Sequence, residues 1–569
     1  MVVRRLACIL TVLGAVVPSA SQTAGSSAQN PQQILQPEKK PETSTVSGRV
    51  VTAAEGAPIK SAQVGLVQED AKQHPGIFAA LTDSDGRFEI GKVPPGRYRF
   101  MASHTGFIAN EFKAQGTGSG AVLALAPGQV VDDALFRLVR AAVISGRVVD
   151  EAGEPVMGIV LSALRKPTAD EMENWGVRMK KEQLIAASSS ITDDRGEYRM
   201  FGLRPGEYYL RASESPDDTF SRMQGIDWGL MDIEVMREVA AQYAPLYYPG
   251  VLQPGEAQAI PLRAGEEMQA DFAMRRIKTV QISGHVIASD GKPASHAWVN
   301  LSLPEVDSFT MDLGANTEST GEFVIKGVPP GSYILSASQQ VENRRFSTRQ
   351  KIDVGESNLD SVVLAFGHGT IISGKVILAA QGLALERIHV YLSPEEEDFG
   401  PGGWAAEAKS DGSFEIPDVP DGSYALRVGG LEKGWYMKSA RLGASDVLQK
   451  GLQVERGAAP GTLEIVLSSA AAALEGAVTQ DDKPVAGASV RARPEPETPY
   501  NRMRSRGAET DQNGHFSLDT LPPGKYKVIA KLPSASPEVP ALSSEAKVVM
   551  LGEHDHQAVQ ITLPKEKEQ

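Results

Sequence analysis

The chain of 569 residues contains a single cysteine, Cys8. That excludes a disulfide framework and any site built on several thiolates. Tryptophan is scarce, at five residues. The nine histidines are scattered, none is followed three residues later by Glu, and no His-Glu-x-x-His occurs. A zinc-peptidase signature is therefore missing. His554-Asp555-His556 is the one close-set pair and reads as a solvated acidic turn. No Gly-x-Ser-x-Gly elbow occurs, and Gly116-Thr117-Gly118-Ser119-Gly120 has the wrong order and reads as a flexible loop. Positive charge is in deficit, with 57 Lys and Arg against 71 Asp and Glu and a net charge of −14. Phosphate backbones and anionic lipids need the opposite sign, so neither is an expected partner. No cofactor and no metal is expected.

Long apolar runs are missing too, with one short exception. Leu6 to Val17 follows the basic pair Arg4 and Arg5 and precedes Pro18, Ser19, Ala20 and Ser21. This is the layout of a signal peptide, and the run is too short for a typical membrane span. Residues 1–21 are read as the signal. Residues 22–44, rich in Gln, Ser, Pro and Lys, are read as a disordered linker. The expectation is an exported protein (secreted, periplasmic or at the cell surface) with no transmembrane segment after processing.

What is abundant is Gly, at 55, and Pro, at 36. They punctuate one pattern that recurs five times. A strand opens with Ser47-Gly48-Arg49-Val50, Ser145-Gly146-Arg147-Val148, Ser283-Gly284-His285-Val286 and Ser373-Gly374-Lys375-Val376, and the fifth copy departs to Glu475-Gly476-Ala477-Val478. A proline turn follows in four copies, as in Gly56-Ala57-Pro58. Later comes Thr82-Asp83-Ser84-Asp85-Gly86-Arg87-Phe88 and then Val93-Pro94-Pro95-Gly96-Arg97-Tyr98. The equivalent glycine pairs are Gly196 and Gly206, Gly321 and Gly331, Gly412 and Gly422, and Gly514 and Gly524, all ten residues apart. Asp before Gly closes a hairpin, Pro-Pro-Gly makes a rigid turn, and the aromatic after each starts an inward-facing strand. Asp83-x-Asp85-Gly86 hints at calcium, but it lacks the twelve-residue ligand set and turn chemistry explains it. Short alternating strands at this spacing predict antiparallel β-sandwiches.

The unit resembles the carboxypeptidase regulatory-like domain, a transthyretin-like sandwich of the carbohydrate-binding-like fold. The resemblance rests on Ser-Gly-x-Val, the Gly-x-Pro turn, Thr-Asp-x-x-Gly-x-Phe and Pro-Pro-Gly-x-Tyr. In copy one it also rests on Ser103-His104-Thr105-Gly106-Phe107. It implies an all-β tandem array of five Ig-like or transthyretin-like sandwiches, with short helical insertions in the second. The domains are expected at 45–140, 141–277, 278–366, 367–468 and 469–564, with a tail at 565–569. In this family the domain is generally an accessory. A second resemblance, to collagen-adhesin B-type domains, would bring a Glu four residues after the strand-opening Tyr to promote a Lys–Asn crosslink. Those positions here are Ala102, Ala212, Ala337, Val428 and Ala530, so that crosslink is not expected.

Copy two is longer than the others. Its first insertion, Ala169 to Ala187, has Met172, Trp175 and Met179 at helical spacing. Its second has Trp228, then Asp232 as a helix cap, then Ile233, Met236, Ala240 and Tyr243 on one face, ended by Pro245. Tyr247 and Tyr248 follow. These tyrosines read either as a lid packed on the sandwich or as an aromatic platform for a sugar or peptide. Copy four has an acidic, aromatic loop, Glu395 to Phe399, then Trp404, with Trp435 later. The candidate ligand-binding residues are Trp228, Tyr247, Tyr248, Trp404 and Trp435, and no catalytic residue is expected. The functional expectation is a non-enzymatic exported binding or scaffold protein whose partner is a carbohydrate or an envelope or surface protein. The alternatives are a structural spacer of the cell envelope and, more remotely, an enzyme with an inter-domain site.

Overall fold

In a computed structural model, the structure describes residues 42–565 except 70–75, 115–118, 169–183, 215–242, 244, 276–278, 303–312, 342–343, 395–403, 456–460, 499 and 533–540. It is 60% strand and 3% helix. The strands fall into ten sheets that pair as five sandwiches around five apolar clusters. The helical stretches expected in the second sandwich lie outside the described residues. The end of the first of them, residues 185–187, is strand instead, within Ile185–Ile191.

In the first sandwich, Ser44–Thr52 lies centrally in one sheet. It runs antiparallel to Arg87–Val93 and parallel to Val130–Leu138. The opposing sheet places Gln63–Gln68 between Ile77–Leu81 and Gly96–Ser103. The same plan recurs with Ala142–Val149, Val280–Ile287, Thr370–Leu378 and Ala472–Gln480 in the central role. The Ser-Gly glycine explains the close parallel pairing. A Cβ at Gly48 would lie 1.9 Å from Ala134 O, and at Gly284 it would lie 1.9 Å from Val362 O. No side chain fits between those backbones. The fourth sandwich departs from the plan. Tyr436–Leu442 adds a strand beside Leu463–Ser468. It leads into the short helix Val447–Lys450, whose Asp446 cap accepts bonds from Leu448 N and Gln449 N.

The repeated motif residues hold these turns. Thr82 Oγ1 donates to Ile59 O at 2.6 Å and accepts from Ala62 N at 2.8 Å. Thr192, Thr317 and Thr510 make the same two bonds, while the fourth copy has buried Ala408 there. Asp83 Oδ1 accepts from Asp85 N and Arg87 N, as Asp193 and Asp511 do in their own turns. The turn glycine is left-handed, at φ 73° for Gly86, and its carbonyl accepts from Val50 N at 2.8 Å. Every Pro-Pro-Gly-type turn is tied by its tyrosine. Tyr98 donates to Pro94 O at 2.8 Å, Tyr208 to Arg204 O at 2.9 Å, Tyr333 to Pro329 O at 3.0 Å, Tyr424 to Pro420 O at 2.9 Å and Tyr526 to Pro522 O at 2.7 Å.

Candidate functional site

The sequence directs attention to the end of the second sandwich. Leu246–Tyr247 forms a short strand against Arg211 and Ala212. Tyr247 is 1% exposed, and its ring belongs to the apolar cluster of the third sandwich, together with Leu164 and Leu184 of the second. Two consecutive sandwiches therefore share one core. A hollow of about 20 Å³ opens at this seam between Tyr247, Leu252, Gln253, Leu313, Pro329 and Tyr333. That is room for about one water and no sugar. Burial, and then the neighbouring Tyr247, push the Tyr333 hydroxyl up to about 12. Tyr248 is half-buried and packs on its own sandwich, 6.0 Å and edge-on to Phe272. Of the two readings of the tyrosines, Tyr247 takes the packed one.

In the fourth sandwich the candidate ligand-binding residues Trp404 and Trp435 are inside rather than open to a ligand. Trp404 is 3% exposed and Trp435 is 7% exposed, and both sit in that sandwich's core. Trp404 pairs opposite Leu392 on a strand whose alternate residues face in, and its ring meets Tyr424 edge-on at 5.6 Å. The strand's parity turns it inward. Trp228 and the acidic loop 395–399 lie outside the described residues. The structure places Tyr247 at the seam with the third sandwich, Tyr248 on the core of the second, and Trp404 and Trp435 in the core of the fourth; it does not join these sets.

Among the described residues, exposed aromatics lie elsewhere, Phe201 at 67% being the most open of them. Trp298 is 41% exposed and Tyr391 is 39% exposed, each on the outward face of a four-stranded sheet. Tyr391 lies directly opposite Arg427 and over Gly429, where a Cβ would come within 2.9 Å of its ring. His389 stacks beside it at 6.1 Å with a 30° tilt, and its Nδ1 lies 3.8 Å from Glu407. Burial lowers the pKa of the Arg427 guanidinium. Alternation was the available signal, because Tyr391 stands between inward Val390 and Leu392, and Trp298 precedes inward Val299. Among the described residues no three His, Cys, Asp or Glu side chains are grouped to hold a metal. Among them, too, no helix is long and apolar enough to cross a membrane.

The repeating turn, the tyrosine tie and the parallel first and last strands agree with one sequence profile, which matches at both ends of the array. Residues 45–130 and 473–564 are carboxypeptidase regulatory-like domains. The three sandwiches between these two domains share their strand plan. No curated protein matches the chain. Solved structures that align with it include a streptococcal ancillary pilin, at 12% identity over 57% of this chain and 99% of that one, with a TM-score of 0.18. A minor pilin of Streptococcus agalactiae aligns at 14% identity over 42% of this chain and 96% of that one, with a TM-score of 0.21. The major pilin subunit of Bacillus cereus aligns at 8% identity over 74% of this chain and 99% of that one, with a TM-score of 0.15. At these TM-scores the pilins bear on neither the function nor the arrangement of the carboxypeptidase regulatory-like domains.

Proposed function

We propose that this chain is a non-enzymatic exported scaffold that binds a carbohydrate or a surface protein on the outward faces of its sheets. One observation carries the first half of the reading. The polar residues that recur from copy to copy are engaged in holding turns. The Thr hydroxyls, the Asp carboxylates and the Tyr hydroxyls all bond to nearby main chain. A repeated catalytic or ligand site would instead leave recurring polar groups aimed at solvent or a cleft. The second half is supported by Tyr391 on Gly429 beside His389 and Arg427, an exposed aromatic face with polar neighbours of the kind that stacks on a sugar ring or a peptide.

The test is a glycan array with a parallel pull-down from envelope extracts, run on the wild type and on Trp298→Ala and Tyr391→Ala. Retention of a defined ligand, weakened by Tyr391→Ala at unchanged melting temperature, is the expected result. A chain that retains nothing, or whose ligand ignores both substitutions, would instead fit a spacer of the cell envelope.

A further inference from the structure

We propose that the first and fifth sandwiches lock together within one chain and close the array on itself. Arg99, on the outward face of Gly96–Ser103, donates through Nη2 to Glu509 Oε2 at 2.7 Å, across 410 residues of sequence. Its other two nitrogens face carboxylates of its own sandwich, Nε to Glu69 at 3.0 Å and Nη1 to Glu111 at 3.1 Å. The three-pronged guanidinium thus has one carboxylate per nitrogen, and only the fifth sandwich supplies the third. Arg99 is largely sheltered from solvent. Burial opposes its charge, and Glu509, Glu111 and Glu69 outweigh that and hold the pKa above its ordinary value.

A second contact does not depend on charge. Gln512 lies in the turn that all five copies share. Its side-chain amide grips the main chain of Ala124 from both sides, accepting from Ala124 N at 2.9 Å and donating to Ala124 O at 2.7 Å. Next to it Val122 bridges Asp511 in parallel. The fifth sandwich therefore covers the edge strand Val122–Leu125, which would otherwise offer unpaired main chain to another molecule. The surfaces also fit. Ala486 packs against the core of the first sandwich. Gly487 approaches so closely that a Cβ would lie 3.3 Å from both Ala121 N and Lys113 O.

Two of the three residues that make this joint, Arg99 and Gln512, recur in no other repeat. The positions equivalent to Arg99 hold Tyr209, Ile334, Ala425 and Lys527. Those equivalent to Glu509 hold Leu81, Ile191 and Asn316, with Glu kept only at Glu407, and Gln512 replaces Ser84, Asp194, Ser319 and Ser410. Shared motif residues build the five folds, and unshared ones select which two of them meet. The joint is heterologous, so the same two surfaces made between chains would instead join them head to tail. In the resting chain the fifth sandwich fills the site in cis.

The experiment is small-angle scattering with light-scattering mass on the full chain, for the wild type, for Gln512→Ala and for Glu509→Arg with Gln512→Glu. The expected result is a monomeric wild type whose curve fits the closed array. The double variant should shift to a larger radius of gyration at unchanged mass, with Gln512→Ala in between. A wild-type curve that fits only an open chain overturns the proposal, and so does a wild-type dimer that the double variant converts to monomer. Should the double variant fail to fold, as judged by circular dichroism, the wild-type curve and Gln512→Ala decide the matter.

Discussion

The junction of the second and third sandwiches and the junction of the first and fifth are made of opposite materials. The former fuses two cores through Tyr247, Leu164 and Leu184, all nearly inaccessible. The latter is a rim of Arg99, Glu509 and Gln512 with a small apolar contact at Ala486. Apolar burial is not weakened by charge screening and cannot be undone without exposing a core. Partly exposed ion pairs are screened, and side-chain hydrogen bonds exchange with water. The first kind of junction makes two domains into one folding unit. The second kind makes a contact that can open while every domain stays folded.

The largest effect that would break this contrast is Tyr247→Ala. It removes an aromatic ring from a shared core and should cost about 3–5 kcal/mol. Calorimetry should record the second and third sandwiches melting together in the wild type and earlier in the variant. If only one of them responds, the cores are not shared.

Next in size is alkaline unfolding. Tyr98, Tyr208, Tyr333, Tyr424 and Tyr526 all have hydroxyls raised above the ordinary value of 10, with burial as the first cause. A raised folded-state value means the stability is fully present below about pH 10 and is lost as pH climbs through the folded values. Urea midpoints should hold level to about pH 9.5 and then fall. A level midpoint at pH 11 would contradict the tyrosine ties.

A smaller effect isolates one tie. Tyr526→Phe removes a bond to Pro522 O while keeping the ring, and should cost about 1 kcal/mol. It should do so without opening the joint to the first sandwich, which Tyr526 does not touch through that hydroxyl. Smallest in stability is Glu509→Arg, which should leave the melting temperatures of the five sandwiches nearly unchanged while opening the first-to-fifth joint.

The sequence carried the turns plainly, because the ten-residue glycine spacing and the Tyr two residues after the second glycine are local chemistry written five times, with an Asp in the first turn of four copies. It carried the inward aromatics Phe88 and Tyr98 through alternation. It misled at Trp404 and Trp435, where the bulk of an aromatic near a loop suggested exposure while strand parity took the ring inside; at Tyr247 one of its two readings, the packed one, is what the buried ring takes. Applying that same parity to Tyr391 and Trp298 would have found them exposed. The joint between the first and fifth sandwiches was out of reach for a different reason. Arg99, Glu509 and Gln512 follow no periodicity, and what brings them together is the path of the three sandwiches in between.

The contrast between the junctions is tested most directly by hydrogen exchange at single amides, in low salt and near 1 M salt, where screening reaches within about 3 Å. Ala124 N has Gln512 Oε1 as its partner, and Tyr247 N has Val251 O. High salt screens the Arg99–Glu509 pair, so it should loosen the joint and speed exchange at Ala124 while leaving Tyr247 protected. Equal protection of Ala124 in both salts, or equal loss at Tyr247, would contradict the division into one fused and one reversible junction.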